Sequence, residues 1–174
     1  MLKIILLIVV AAIAVVLIYA ATRPDTFRVQ RSTRIQAPPA RVAALIDDFH
    51  AWQAWSPWEK RDPALQRTFS GPQRGVGAIY EYQGNKQVGQ GRMEIIESSP
   101  ARILIKLDFL QPFEAHNQAE FTLQPEGDGT RLTWAMFGPQ PYLFKLMGVF
   151  FSTDSMVGKD FESGLASLKA QAEH

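Results

Sequence analysis

In the stretch Arg102-Ile103-Leu104-Ile105-Lys106-Leu107-Asp108-Phe109, the apolar residues Ile103, Ile105, Leu107 and Phe109 alternate with Arg102, Leu104, Lys106 and Asp108. A period of two sends successive side chains to opposite faces, so this is a half-buried strand of the kind found in antiparallel sheets. Downstream, beyond Gln111-Pro112, the residues Ala115, Asn117, Ala119, Phe121 and Leu123 oppose His116, Gln118, Glu120, Thr122 and Gln124. A turn at Pro125 to Gly129 leads into Leu132, Trp134 and Met136, which face away from Arg131 and Thr133. Turns of hairpin length between such runs predict a meander.

Upstream the same period holds. Val76, Ala78, Tyr80 and Tyr82 alternate with Gly77, Ile79, Glu81 and Gln83, Gly84-Asn85 turns the chain into Val88 to Glu97, and Ser98-Ser99-Pro100 makes the next turn. Gly75-Val76-Gly77 and Gly89-Gln90-Gly91 lack the third glycine and following helix of a dinucleotide site and read as hairpin or bulge glycines. An earlier strand is expected over Phe27 to Ile35, followed by a helix opened by Ala37-Pro38-Pro39, with Val42, Leu45, Ile46 and Phe49 on one apolar face. Asp47 and Asp48 fall where that helix should end, and Asp48 is expected to cap a further turn. At the other end, Tyr142 to Phe151 is apolar nearly all round apart from Lys145 and Gly148; Val157, Phe161, Leu165 and Leu168 then form a narrow helical stripe, for which Asp154 is the expected cap. The order strand, helix, about six strands, long helix predicts an α+β layer.

Three of the four tryptophans stand in Phe49-His50-Ala51-Trp52-Gln53-Ala54-Trp55-Ser56-Pro57-Trp58. Each Trp brings a large apolar ring and one N–H that wants a partner. Trp52, Trp55 and Trp58 therefore either line a surface or cavity that meets a ligand, or close one end of a core.

At the N-terminus, Ile4 to Ala21 are eighteen positions without a charge, which at about 1.5 Å per residue reach ~27 Å, enough to cross a bilayer core. A cut after Ala20 or Ala21 would put Ile18 or Tyr19 three places before it, where a signal peptidase needs a small residue, so an uncleaved anchor is expected. The expected division is an anchor over residues 1–22 and a domain over 23–174, in a single-pass protein of a bacterial inner membrane. Arg23, Arg28, Arg31 and Arg34 follow the span, which by the positive-inside rule favours a cytoplasmic domain, yet these arginines also read as one exposed face of a strand. The side of the membrane stays open.

Removing Lys3 from the 18 Lys and Arg leaves 17, against 17 Asp and Glu, so the domain lacks the basic footprint of a nucleic-acid binder. With no cysteine there is neither a thiol nucleophile nor a soft metal site, and no zincin, P-loop or nucleophile-elbow motif is present. No metal or cofactor is expected. His50, with Asp47 or Asp48, is a candidate for acid–base chemistry, against the alternative that it serves a loop backbone group. His116 lies on the polar parity of its strand.

The early strand, the Ala37-Pro38-Pro39 helix start, Trp52, Trp55 and Ser56-Pro57-Trp58, the Gly-rich hairpins and the closing Gly158-Lys159-Asp160-Phe161-Glu162 together resemble the polyketide cyclase/dehydrase and lipid-transfer group of the START-related helix-grip (SRPBCC) superfamily, over residues 27 to 172. The resemblance implies a curved antiparallel sheet of six to seven strands wrapped around a long C-terminal helix, with an apolar cavity for a lipid, sterol, quinone or polyketide-like compound. It carries over no catalytic residue.

Within that frame, strand parity puts Tyr80, Tyr82, Phe109, Asn117, Phe121, Trp134 and Met136 on the side facing the last helix. With the tryptophan cluster they form the expected ligand-binding set. Tyr80, Tyr82 and Asn117 stand out because a buried phenol or amide must find a partner, either a ligand's polar end or one another. Tyr142 to Phe151 has two readings: a segment that dips into the bilayer, or the buried first half of the C-terminal helix. The function expected is membrane-anchored binding of a hydrophobic small molecule; the alternatives are a cyclase/dehydrase-like enzyme and a protein-interaction module with a filled cavity.

Overall fold

The computed structural model describes residues 1–174. An N-terminal helix, α1 (Leu2–Thr22), is long and apolar enough to cross a membrane and is almost wholly exposed. Next come β1 (Thr26–Ile35), the short helix α2 (Pro39–Ala44), a 3-10 turn (Phe49–Ala51) and α3 (Trp52–Trp55). The strands β2 (Gln66–Ser70), β3 (Ile79–Gln83), β4 (Gln90–Ser98), β5 (Arg102–Gln111), β6 (Ala115–Glu126) and β7 (Gly129–Pro139) follow, and α4 (Tyr142–Met147) and α5 (Thr153–Glu173) close the chain.

All seven strands form one antiparallel sheet in the order β1-β7-β6-β5-β4-β3-β2. Strands β2 to β7 are the expected meander. β1 pairs with β7 at one edge, and the chain reaches the other edge through α2 and α3. The register aligns the apolar parities into rows on one face: Tyr80, Met93, Leu107 and Asn117; then Ile95, Ile105, Ala119, Met136 and Val29; then Ile103, Phe121, Trp134 and Arg31. Helix α5 packs on this face through Phe161, Leu165 and Leu168, each burial contributing about 1.5–3 kcal/mol. Arg31 fastens it, donating to Asp154 Oδ1 at 2.7 Å and to Glu162 Oε1 at 2.8 Å.

Several boundaries differ from the sequence reading. Val76 and Gly77 form a turn and the strand begins only at Ile79, because Gly75 and Gly77 both take positive φ, 77° and 87°. The cap of α5 is Ser152, whose hydroxyl accepts from Ser155 N at 3.0 Å, while Asp154 sits in the first turn and is held by Arg31. Tyr142 to Phe151 is not a buried first half of the C-terminal helix: α4 ends at Met147, just before Gly148, and Leu143, Phe150 and Phe151 are exposed. Of the arginines after α1, Arg28 pairs with Glu120, Arg34 with Asp128, and Arg31 points to the opposite face toward α5. Only Arg23 stays beside the span, where it reaches the Tyr19 hydroxyl.

Candidate functional site

The concave face gathers most of the chain's buried aromatic side chains, with Tyr80 and Asn117 as its polar members. The tryptophan segment gets there by capping. Asp48 Oδ1 accepts from His50 N at 2.9 Å and starts the 3-10 turn, as expected, and α3 then turns Trp52 and Trp55 inward. Both indole N–H groups bond to the end of the preceding helical segment, Trp52 to Ile46 O at 2.9 Å and Trp55 to Leu45 O at 2.8 Å. Only their ring faces remain, and these meet Phe121 edge-on. Trp58 is half-buried and packs edge-on against Trp134 and Phe161.

Trp134 is the hub. Its ring stacks on Phe161 of α5 with centroids 4.2 Å apart and on Phe121 of β6 at 5.1 Å. Gly164 permits this closeness, since a Cβ there would stand 2.8 Å from the Trp134 ring and 3.1 Å from Pro57. Trp134 is 2% exposed, and unlike Trp52 and Trp55 its Nε1–H has no hydrogen-bond partner. Such a buried donor costs about 1–3 kcal/mol unless an acceptor reaches it.

At the sheet end nearer α1, small residues make room for polar side chains. The Tyr82 hydroxyl lies over Gly91 and the Asn117 amide over Gly138, each 2.2–2.4 Å from where a Cβ would stand. Phe109, half-buried, follows Gly91 in the same row, and Met136 is buried beside Val29. Burial pushes the Tyr82 phenol up to about 12. A cleft of about 620 Å³ opens along this end of β1, β7 and β6, lined by Phe27, Asn117, Phe137 and Gly138 with Arg28, His116 and Gln118. Of the ten candidate ligand-binding residues, only Asn117 borders it; Trp55, Phe121 and Trp134 lie against one another and Phe161 in the centre.

The sequence reading missed Glu59. Its carboxylate, 5% exposed, accepts from Arg67 Nε at 2.7 Å and from the Tyr80 hydroxyl at 2.5 Å. Burial first, and then Glu59, push the Tyr80 phenol far above its ordinary range, so it stays a donor. Nothing local marks Glu59, which follows Trp58 in a polar loop; only the β2–β3 pairing, which sets Phe69 opposite Tyr80 and Arg67 opposite Tyr82, brings the cation and phenol to it. The other acid–base candidates make no hydrogen bond to this cluster. His50 is half-exposed, bonded to Asp48 and stacked on Phe69, and Asp47 is buried and paired with Arg74.

The fold recurs among solved structures. A Thermobifida fusca protein is 21% identical with a TM-score of 0.61, covering 83% of this chain and 92% of its own. CV1439 from Chromobacterium violaceum is 19% identical with a TM-score of 0.58, covering 87% and 99%. The di-domain ARO/CYC protein BexL from the BE-7585A biosynthetic pathway is 17% identical with a TM-score of 0.61, covering 90% of this chain and 53% of its own, so this chain spans about half of it. No curated protein matches significantly. The seven-stranded sheet gripping α5 is the helix-grip fold. The sequence profile of one family, described as polyketide cyclase/dehydrase and lipid transport, matches residues 26–173. The chain belongs to the polyketide cyclase/dehydrase and lipid transport family.

Proposed function

We propose that residues 1–22 anchor the chain in a membrane and that residues 23–174 bind a hydrophobic small molecule, a lipid, quinone or polyketide-like compound, between the concave face and α5. The observation that carries this reading is the buried, partnerless N–H of Trp134 at the centre of an aromatic wall. Apolar walls with a few placed polar groups are the usual make-up of a small-molecule site. A carbonyl or hydroxyl oxygen on an otherwise apolar ligand would meet that donor, entering by parting the Trp134 and Phe161 rings. The family's range and the ARO/CYC relative support the ligand class.

The test is solvent extraction of the purified full chain and mass spectrometry of what accompanies it, against Trp134→Phe, which keeps a ring and removes the donor. A near-stoichiometric apolar compound carrying an oxygen acceptor, depleted in the variant, supports the reading. An empty protein, or equal loading of both, defeats it.

A second reading, an enzyme acting on the same ligand class, is favoured by Glu59. A buried carboxylate holding a phenol at 2.5 Å on the concave side is placed to pass a proton. Glu59→Gln that still loads the compound but no longer converts it would select this reading; unchanged product would remove it.

A further inference from the structure

Outside residues 1–22, ten large hydrophobic side chains are exposed, and only Val76 and Ile96 lie away from one region. The other eight are at the end of β5 and in the β5–β6 turn, in α4 and the turn after it, or in the first turn of α5. Soluble proteins rarely leave such a patch uncovered.

Register shows that these segments share one end of the sheet. Phe27 pairs with Gly138, Gln118 with Phe137, and Phe109 with Ala115, so the start of β1, the end of β7 and the β5–β6 turn lie together. That is also the end at which α1 enters. Gln140 N donates to Asp25 O at 2.7 Å, and the Tyr142 hydroxyl of α4 donates to Leu17 O at 3.0 Å. Leu17 is four residues before the last apolar position, Ala21, which at about 1.5 Å per residue places this bond ~6 Å inside the apolar span. Whatever medium surrounds α1 at that depth therefore also surrounds α4. The single charge of α4, Lys145, is turned back to pair with Asp25, so its outward side carries only Leu143 and its neighbours.

We infer that this end of the domain is a second membrane contact: Phe113 of the β5–β6 turn, Leu143 of α4, and Phe150 and Phe151 after it insert into the acyl–headgroup boundary of the bilayer that holds α1. Phe113 is 62% exposed, and Phe150 and Phe151 69% each. Interfacial segments bury apolar side chains about 5–10 Å deep, the depth that the Tyr142–Leu17 bond sets. The contact turns the rows that end in Phe109 and Asn117 toward lipid, so an apolar ligand passes between bilayer and concave face without crossing water. The inference rests on α1 being a membrane anchor.

The chain has no cysteine, so single cysteines introduced into the full-length protein carry single spin labels. In liposomes of phosphatidylcholine and phosphatidylglycerol, labels at Phe113→Cys and Phe150→Cys are compared with one in the anchor, Ile8→Cys, and one at the far end of the sheet, Gln73→Cys. The expected result is that Phe113 and Phe150 labels lose collisions with an aqueous nickel chelate and gain collisions with oxygen, as Ile8 does, while Gln73 shows the reverse. If Ile8 behaves as lipid-embedded but Phe113 and Phe150 match Gln73, the second contact is wrong and the anchor stands. Labels shielded from both reagents would mean that protein covers the patch, which also overturns it. An Ile8 label open to nickel would remove the anchor and this inference together.

Discussion

Trp134 on β7 lies flat on Phe161 of α5, with ring planes 4° from parallel and centroids 4.2 Å apart. This stack joins the two halves of the grip, because Trp134 also touches Phe121, Trp55 and Trp58. Stability and access to the interior are thereby carried by the same rings: parting them opens the site and gives up stacking worth about 0.5–1.5 kcal/mol per aromatic pair.

Gly164→Ala tests how tightly that stack is set. An alanine in a helix gains about 1 kcal/mol in propensity over glycine, yet here its methyl would press on Trp134 at 2.8 Å and Pro57 at 3.1 Å. Overpacking of this kind costs about 1–3 kcal/mol, so the variant is expected to be net destabilised by up to ~2 kcal/mol in urea unfolding. A gain in stability would mean that α5 moves away from the sheet freely.

Glu59, Tyr80 and Arg67 should behave as one unit. Tyr80→Phe removes one hydrogen bond and is expected to cost about 1 kcal/mol, whereas Glu59→Gln leaves the Arg67 charge without its partner and costs about 1–3 kcal/mol. The double variant should lose less than the sum of the two, and strict additivity in a double-mutant cycle would show that the contacts are independent.

Asp48→Ala removes the cap that turns the tryptophan segment inward. Loss of such a cap costs about 0.5–2 kcal/mol. His50→Ala keeps the capped backbone N–H, so its loss should be the smaller of the two; the opposite ranking in thermal melts would assign the turn to the imidazole.

The pair His116 and Asp108 predicts a pH signature. The hydrogen bond with Asp108 Oδ1 at 2.7 Å, aided by Glu114, holds the His116 imidazolium above its ordinary value of 6.5. Burial raises Asp108, but hydrogen bonds from His116 and Lys106 outweigh it and leave the carboxyl below 3.8. A raised histidine contributes stability that is complete below about 6.5 and is lost as pH rises through its folded value; a lowered aspartate contributes stability present above about 3.8 and lost as pH falls. The contribution is therefore fullest between those values. In an NMR titration, Asp108→Asn should bring the His116 midpoint back down; an unmoved midpoint would contradict the pairing.

Much of the fold was legible because strands β4 to β7 alternate over most of their length, interrupted by register shifts in β4 at Gln90/Gly91 and Ile95/Glu97, and a buried face constrains the register. Asp48 was legible as a cap from its place before an apolar turn. Gly148 stood out as an interruption of the apolar run after Tyr142, but the exposure of that run did not show, since an apolar run reads alike whether protein or lipid covers it. Ser152 prevailed over Asp154 as the cap because Arg31, distant in sequence, holds the aspartate. The candidate site was half visible. Parity found Tyr80, Tyr82, Phe109, Asn117, Phe121, Trp134 and Met136 on one face, but the buried Glu59 and the partnerless Trp134 N–H arise from contacts between strands and helices that no local pattern encodes.

The most direct test of ligand binding is the indole N–H spectrum of the 15N-labelled full chain in nanodiscs, with its co-purified compound stripped and then restored. The account predicts that the Trp134 resonance alone moves strongly downfield on reloading, while those of Trp52 and Trp55, already bonded to Ile46 and Leu45, stay in place. A Trp134 resonance that does not respond to any compound the protein carries would contradict it.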